Sequence, residues 1–388
     1  MGRVANPPYI FMHIIQLDLQ NKKQVDDFLR LPFSVYRDIP QWVPPLQMDE
    51  RIRLNPKRFP FYKHSHAAFF IAYEGIHPIG RLTILDNRPY NEFNHEATAF
   101  FYLFECVDDV AAAQGLFNAG FAWAHSRGLT KVIGPKGFTP MDGFGLLIKG
   151  FKHLHAVGLP YNPDYYPALL EACGFEPDRD AVSGYLGTDI QFPERIHELA
   201  ERIAQRRGLH IAQFKKRSDL RALVPKLKDL YNNALRGTAG NAPISDEEAE
   251  TLANQMIWFA DPKLIKIVMK GETPVGFLFA YPNMSPALQK IKGKLFPFGW
   301  LTVLRELKRT DLLDINGAGL IPEDRGSGGM AILYSEMFKS VKESGQFCHA
   351  EVVQIGVENE SMQRDLENFG VDFYKVHRTY QRSMKDAA

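Results

Sequence analysis

The hydrophobic pattern is one of apolar runs broken by short turns that carry glycine and proline. Residues 72–87 read AYEGIHPIGRLTILDN, and residues 268–283 read VMKGETPVGFLFAYPN. Each predicts strand, tight turn, strand: a β-hairpin. Gly75, Pro78, Gly80 and Asn87 align without a gap on Gly271, Pro274, Gly276 and Asn283, an offset of 196 residues. The same offset places LLEACGF (Leu169–Phe175) on DLENFGV (Asp365–Val371), each a helix ending in a glycine cap. One residue further out, HIIQL from His13 matches HIAQF from His210. Three matches in one order predict two copies of one unit, joined near residues 192–208 by a segment that itself reads as a helix.

Each copy reads β, α, α, β-hairpin, strand, α, β, α, β. In the second copy, Ser218 and Ser245 are the expected N-caps of its first two helices, with Pro225 inside the first. Its hairpin spans 264–281. A strand at 312–321, a helix at about 329–344, a strand at 348–357, a helix at 360–369 and a last strand follow. The fold class expected is α/β with a mixed sheet, in two domains at 1–195 and 208–388.

Composition changes little. The 388 residues suit two domains, and the formal charge of +1 gives no global attraction to nucleic acid. Cys106, Cys173 and Cys348 are far apart and odd in number, which argues against a disulfide framework or a zinc site. The N-terminal apolar run is too short for a signal peptide, and no stretch of about 18 apolar residues occurs. A cytoplasmic protein is expected.

LIPEDRGSGGMAILYSEM (Leu320–Met337) joins a strand end, a glycine turn and a helix start. Unpaired N–H groups at such a start suit a phosphate or pyrophosphate. With this loop between fourth strand and third helix, the element order resembles the GNAT acyltransferase fold, repeated in tandem over nearly the whole chain. The resemblance implies an acyl-CoA whose pyrophosphate sits on an R/Q-x-x-G-x-G/A loop. The matching residues are Arg325, Gly326, Ser327, Gly328, Gly329 and Met330, with Leu320 and Ile321 before them and Asn359 near the CoA arm. Met330 stands where the family has a small residue. The resemblance also implies a splayed fourth strand, here DLLDINGAGLI, whose backbone pairs with the pantetheine. The first copy has no glycine loop, and Asp108 and Asp109 at its helix start would repel a pyrophosphate. FPFYKHSHAAFFIA, FFYLFECVDD, GLPYNPDYYPALLEACGF and YKVHRTYQRS resemble a bacterial family of tandem-GNAT proteins, some similar to bacterial ceramide synthases.

Amine acylation needs a base for the amine and an acid for the leaving thiolate. The superfamily's Tyr is absent from ESMQRDLENFG, and Tyr374 is the substitute acid. Glu351, in the strand CHAEVVQIGV with His349 and Val353 on its face, is the candidate base. The alternative for Glu351 is a buried ion pair with an Arg or Lys such as Arg378, and for His349 a hydrogen-bonded core position. Glu105, Tyr165 and Tyr166 are candidates for an acceptor pocket, or for packing. His64 and His66 are too few for a metal site, and no metal is expected. The insertion 284–311 mixes Phe296, Phe298, Trp300 and Leu304 with Lys and Arg. It suits a peripheral membrane contact at the inner face, an acyl-chain cover, or a plain amphipathic lid.

Two readings follow. One is an acyl-CoA-dependent N-acyltransferase for a small-molecule or lipidic (sphingoid-type) primary amine, with the donor on the second copy. The other is a non-catalytic binding protein with a decayed CoA site. An aminoacyl-tRNA-dependent transferase is disfavoured by the near-neutral charge.

Overall fold

The structure is a computed structural model, and it describes residues 12–139, 142–187, 194–234, 242–257 and 259–384. The first half of the chain runs β1 (Met12–Gln16), α1 (Lys22–Val35), α2 (Gln47–Arg53), β2 (His66–Glu74), β3 (His77–Asp86), α3 (Arg88–Asn94) and β4 (Thr98–Cys106). It continues with α4 (Val110–His125), β5 (Lys131–Gly134), β6 (Leu146–Lys149), α5 (Tyr166–Ala172) and β7 (Glu176–Gly187). Helix α6 (Glu194–Arg207) leads into the second half. That half holds β8 (Leu209–Ile211), α7 (Arg217–Ala234), α8 (Asp246–Met256), β9 (Ile265–Lys270), β10 (Thr273–Pro282), α9 (Ser285–Ile291) and α10 (Gly299–Leu307). It ends with β11 (Leu312–Leu320), α11 (Gly329–Ser344), β12 (His349–Gly356), α12 (Glu360–Asn368) and β13 (Asp372–Ser383).

All thirteen strands join one mixed sheet, ordered β1-β2-β3-β4-β5-β13-β7-β12-β11-β10-β9-β8, with β6 also on β13. The halves trade their last strands. β13, from the second half, pairs β5 of the first, and β7 of the first pairs β12 of the second. β7 and β13 pair each other antiparallel at the centre. The sheet therefore crosses the join without an internal edge, which leaves fewer open strand edges for unwanted pairing.

The repeated residues have repeated physical roles. Gly75 and Gly271 turn the two hairpins at φ +61° and +58°, a backbone region that favours glycine. Asn87 caps α3 by accepting from Tyr90 N–H, and Asn283 accepts from Ser285 N–H at the start of α9. Apolar clusters cover both faces. In the second half, α6 and α11 pack on one side of the sheet with Val268, Leu278 and Leu313. α7 packs on the other with Ile267, Met269 and Phe277. Ser245 caps α8 with a full capping box, as expected. Ser218 is not a cap: α7 begins at Arg217, because Asp219 accepts from the N–H groups of Lys215 and Lys216 and closes the turn. The helix runs on through Pro225.

Candidate functional site

β11 and β12 pair in parallel only from Leu312–His349 to Ile315–Val352. β11 then stays with β10 as far as Leu320, while β12 continues along β7 to Gly356. Gly317, at φ +101°, turns β11 at the divergence. A V-shaped gap opens, and among the described residues no strand pairs residues 316–320 on the β12 side. The first copy diverges at the same place. β4 pairs β5 only over Thr98–Phe100, and Leu103, at the strand position of Gly317, has φ +50°. That conformation costs a leucine on the order of 1 kcal/mol, whereas Gly317 adopts it freely.

The two gaps end differently. In the first copy Tyr165 Oη donates to Cys106 O at 2.8 Å, and Cys106 N–H donates to Tyr166 Oη at 2.9 Å. Those backbone groups at the end of the splayed strand are thus taken by the chain's own tyrosines. Asp109 then caps α4 through Ala112 N–H, an interaction worth about 1 kcal/mol. In the second copy Gly328, which has no side chain, stands at the N-cap of α11, and Ser327 Oγ accepts from Gly329 N–H at 3.3 Å. The positive end of a 16-residue helix is left available to an anion.

Within the loop, two glycines answer to packing. A Cβ on Gly328 would lie 2.6 Å from Ile203 of α6, and one on Gly329 2.8 Å from Leu320. Gly326, at φ +72°, faces open space. Met330 packs its side chain against the apolar cluster under α11. Arg325 Nη2 donates to Ala234 O at the end of α7. Asp324, beside the loop, is buried and paired with Lys270 at 3.0 Å. Leu320 is buried, Ile321 N–H donates to Val275 O, and Asn359 caps α12 through Met362 N–H.

At the apex of the second gap lie two carboxylates. Asp314 and Glu351 are register partners on adjacent strands, 0 % and 2 % exposed. The matching positions of the first copy hold Phe100 and Ile133, also register partners. Lys375 Nζ donates to Glu351 Oε1 at 2.7 Å and to Leu154 O at 2.7 Å. Arg378 instead forms a bidentate pair with Asp180. Asn283 Nδ2 lies 2.9 Å from both Asp314 oxygens. The Tyr374 ring centroid lies 4.9 Å from Lys375 Nζ and 4.5 Å from that of His153. Burial, then the charge of Glu351, drives the Tyr374 hydroxyl well above its ordinary range. Burial, reinforced by Glu351, pushes Asp314 up to about 8 against the pull of Asn283 and Lys375. Burial lowers Lys375, opposed by Glu351. His349 is half-exposed rather than in the core, with its Nδ1 against Tyr185 Oη.

Asp314 carries a consequence for stability. Unfolded, it ionises near 4; folded, it holds its proton up to about 8. The folded state binds the extra proton between those values, so stability falls as pH rises across that window. Lys375 acts with the opposite sign at higher pH, between its lowered value and its ordinary one. Asp314→Asn removes the first effect. Its unfolding free energy should fall less between pH 5 and pH 8 than that of the wild type, as read by urea denaturation at both values; parallel behaviour would show that Asp314 is ionised throughout.

The sequence-predicted Glu351 and Tyr374 both lie against Lys375. Asp314, Asn283 and Lys375 complete the cluster and were not among the candidates. Asp314 was visible as an acid inside an apolar strand, but only the register places it beside Glu351. Glu105 belongs to the first gap, accepting from Tyr36 and Tyr166, with Arg81 at 3.6 Å. His64 contacts Ser65 and Glu248, and His66 is exposed.

No family model matches the chain. "Protein YghO" of Escherichia coli strain K12 is 26% identical over 373 residues, covering 94% of each chain. A "Bacterial ceramide synthase" of Caulobacter vibrioides is 25% identical over 382 residues, covering 95% of this chain and 97% of the relative. Among solved structures, a tandem GNAT protein from the clavulanic acid biosynthesis pathway superposes with TM-score 0.57 at 10% identity, over 97% of this chain and all of that one. A GCN5-related N-acetyltransferase from Sphaerobacter thermophilus gives 0.51 at 13% identity, over 96% of each. The chain has the tandem GNAT fold.

Proposed function

We propose that this tandem GNAT-fold chain is an acyl-CoA-dependent N-acyltransferase whose second copy holds the donor and whose acceptor is a lipidic primary amine. One observation carries the reading. The Asp314–Glu351 pair lies at the apex of a gap whose helix starts at a glycine N-cap, and the first copy replaces each part of that arrangement. The loop at 324–330 and the start of α11 would receive the pyrophosphate, and the edge of residues 316–320 the pantetheine. The amine nitrogen attacks the thioester carbon. The C–N bond forms as the C–S bond breaks, Asp314 takes the proton of the amine, and Tyr374 supplies one to the thiolate.

A lipidic acceptor is supported by an apolar cavity of about 150 Å³ between α7, α8 and β10, lined by Leu227, Tyr231, Leu252, Met256 and Phe279 among others. Phe279 is two residues from Tyr281, which is the register partner of Asp314. The name of the Caulobacter relative points the same way.

The test is to mix the protein with a long-chain acyl-CoA and a long-chain primary amine. Amide is quantified by mass spectrometry and free thiol by a colorimetric reagent. One amide per thiol supports the reading. Bound thioester with no amide would favour the second reading, a non-catalytic CoA-binding protein. The engagement of Arg325 with Ala234 O is the observation on that side.

A further inference from the structure

We propose that the segment from α9 through α10 docks on an anionic lipid bilayer. Among the described residues thirteen large apolar side chains are exposed, and five of them fall in nine consecutive residues: Phe296, Phe298, Trp300, Leu301 and Leu304. Phe296 and Phe298 are 68% and 72% exposed. The opposite side of α10 is anchored, with Val303 fully buried against Met284 and Ala287. The ridge is therefore held outward by a packed base. Among the described residues no helix is long and apolar enough to cross a membrane, so the contact is with the surface.

Charge selects the occupant. Lys292, Lys294, Arg305, Lys308 and Arg309 are all exposed around the ridge, while Lys290 is paired with Glu306 at 2.7 Å. A second copy of this chain would bring like charges together, whereas anionic headgroups neutralise them. A groove of about 280 Å³ opens beside the ridge, lined by Arg30, Arg51, Arg81, Lys292 and Lys294, with Glu50. Arg81 is 3% exposed, and its Nε has no hydrogen-bond partner. That guanidinium is buried against Phe28 O and Glu105, so the exposed Arg30, Lys292 and Lys294 are the groups a headgroup phosphate would meet. Exposed aromatic rings flanked by Lys and Arg match the interfacial layer of a bilayer.

The placement also serves the candidate site. Asn283, which holds Asp314, accepts from Ser285 N–H, the first residue of α9. The docking element thus begins two residues from a member of the cluster. A lipid leaving the bilayer would enter beside it.

The test is vesicle sedimentation of the full chain, with phosphatidylcholine alone and with phosphatidylglycerol added. The wild type should bind the anionic vesicles about tenfold or more tightly than the neutral ones, and less so in high salt. The triple variant Phe296→Ser, Phe298→Ser, Trp300→Ser should lose about tenfold in affinity for anionic vesicles. The exposed pair Lys294→Glu, Arg305→Glu should remove the preference for phosphatidylglycerol. Circular dichroism checks that each variant is folded. Equal wild-type binding to both vesicle types, or to neither, overturns the proposal. So does a concentration-dependent dimer of wild type that the triple variant abolishes.

Discussion

Asp314→Asn lowers the rate of acyl transfer by about 10²- to 10⁴-fold, the usual span for loss of a general base, and leaves acyl-CoA affinity within about twofold. The two carboxylates of the apex have different partners. Glu351 is bound to Lys375 at 2.7 Å in a fully buried pair. Asp314 is held by a neutral amide, and burial pushes it up to about 8, close to working pH. A group in that range takes and returns a proton readily. The wild-type rate should rise with pH toward a plateau, with an apparent midpoint near 8 from Asp314. In Asp314→Asn that rising limb should vanish along with most of the rate. A residual rate with the same limb would assign the base elsewhere. Glu351→Gln is the weaker test, because it leaves Lys375 buried without its counter-charge, at a cost of about 3–5 kcal/mol in stability.

Gly326→Asp weakens acyl-CoA binding at least about tenfold relative to Gly326→Asn, equivalent to about 1.4 kcal/mol. The two variants match in shape, and both Asn and Asp tolerate the left-handed backbone that Gly326 adopts at φ +72°. A Cβ there meets nothing within 4 Å, so neither variant disturbs packing. They differ in one negative charge beside the glycine-led start of α11, where a pyrophosphate would be repelled. Substitution at Gly328 would not separate the causes, since its Cβ would strike Ile203 at 2.6 Å. Equal affinity in Asp and Asn variants, by calorimetry, would remove the phosphate from this loop.

Much of the fold was legible because glycine and asparagine recur where geometry requires them. Gly75 and Gly271 turn the hairpins, and Gly174 and Gly370, at φ +79° and +81°, end α5 and α12. Local pattern could not show the strand exchange. β7 and β13 have the same neighbours in sequence whether they close their own half or the other. The loop was legible as a glycine turn, but the side-chain direction of Met330 was not, because packing under α11 decides it. Half of the apex was legible. Glu351 stands out as an acid in a buried strand, and Tyr374 came from the resemblance. Asp314 and Lys375 needed the register of β11, β12 and β13 to bring them within reach. The capture of the Cys106 backbone by Tyr165 and Tyr166 was equally invisible, since it depends on hydroxyls reaching across to one residue of β4.

The central claim is that one copy holds the donor and the other does not. The most direct measurement is the number of thioester molecules bound per chain, by calorimetric titration of an acyl-CoA below its micelle concentration. The structure predicts one. Two would contradict the assignment of the donor to the second copy alone, and none by the folded wild type would contradict the donor site itself.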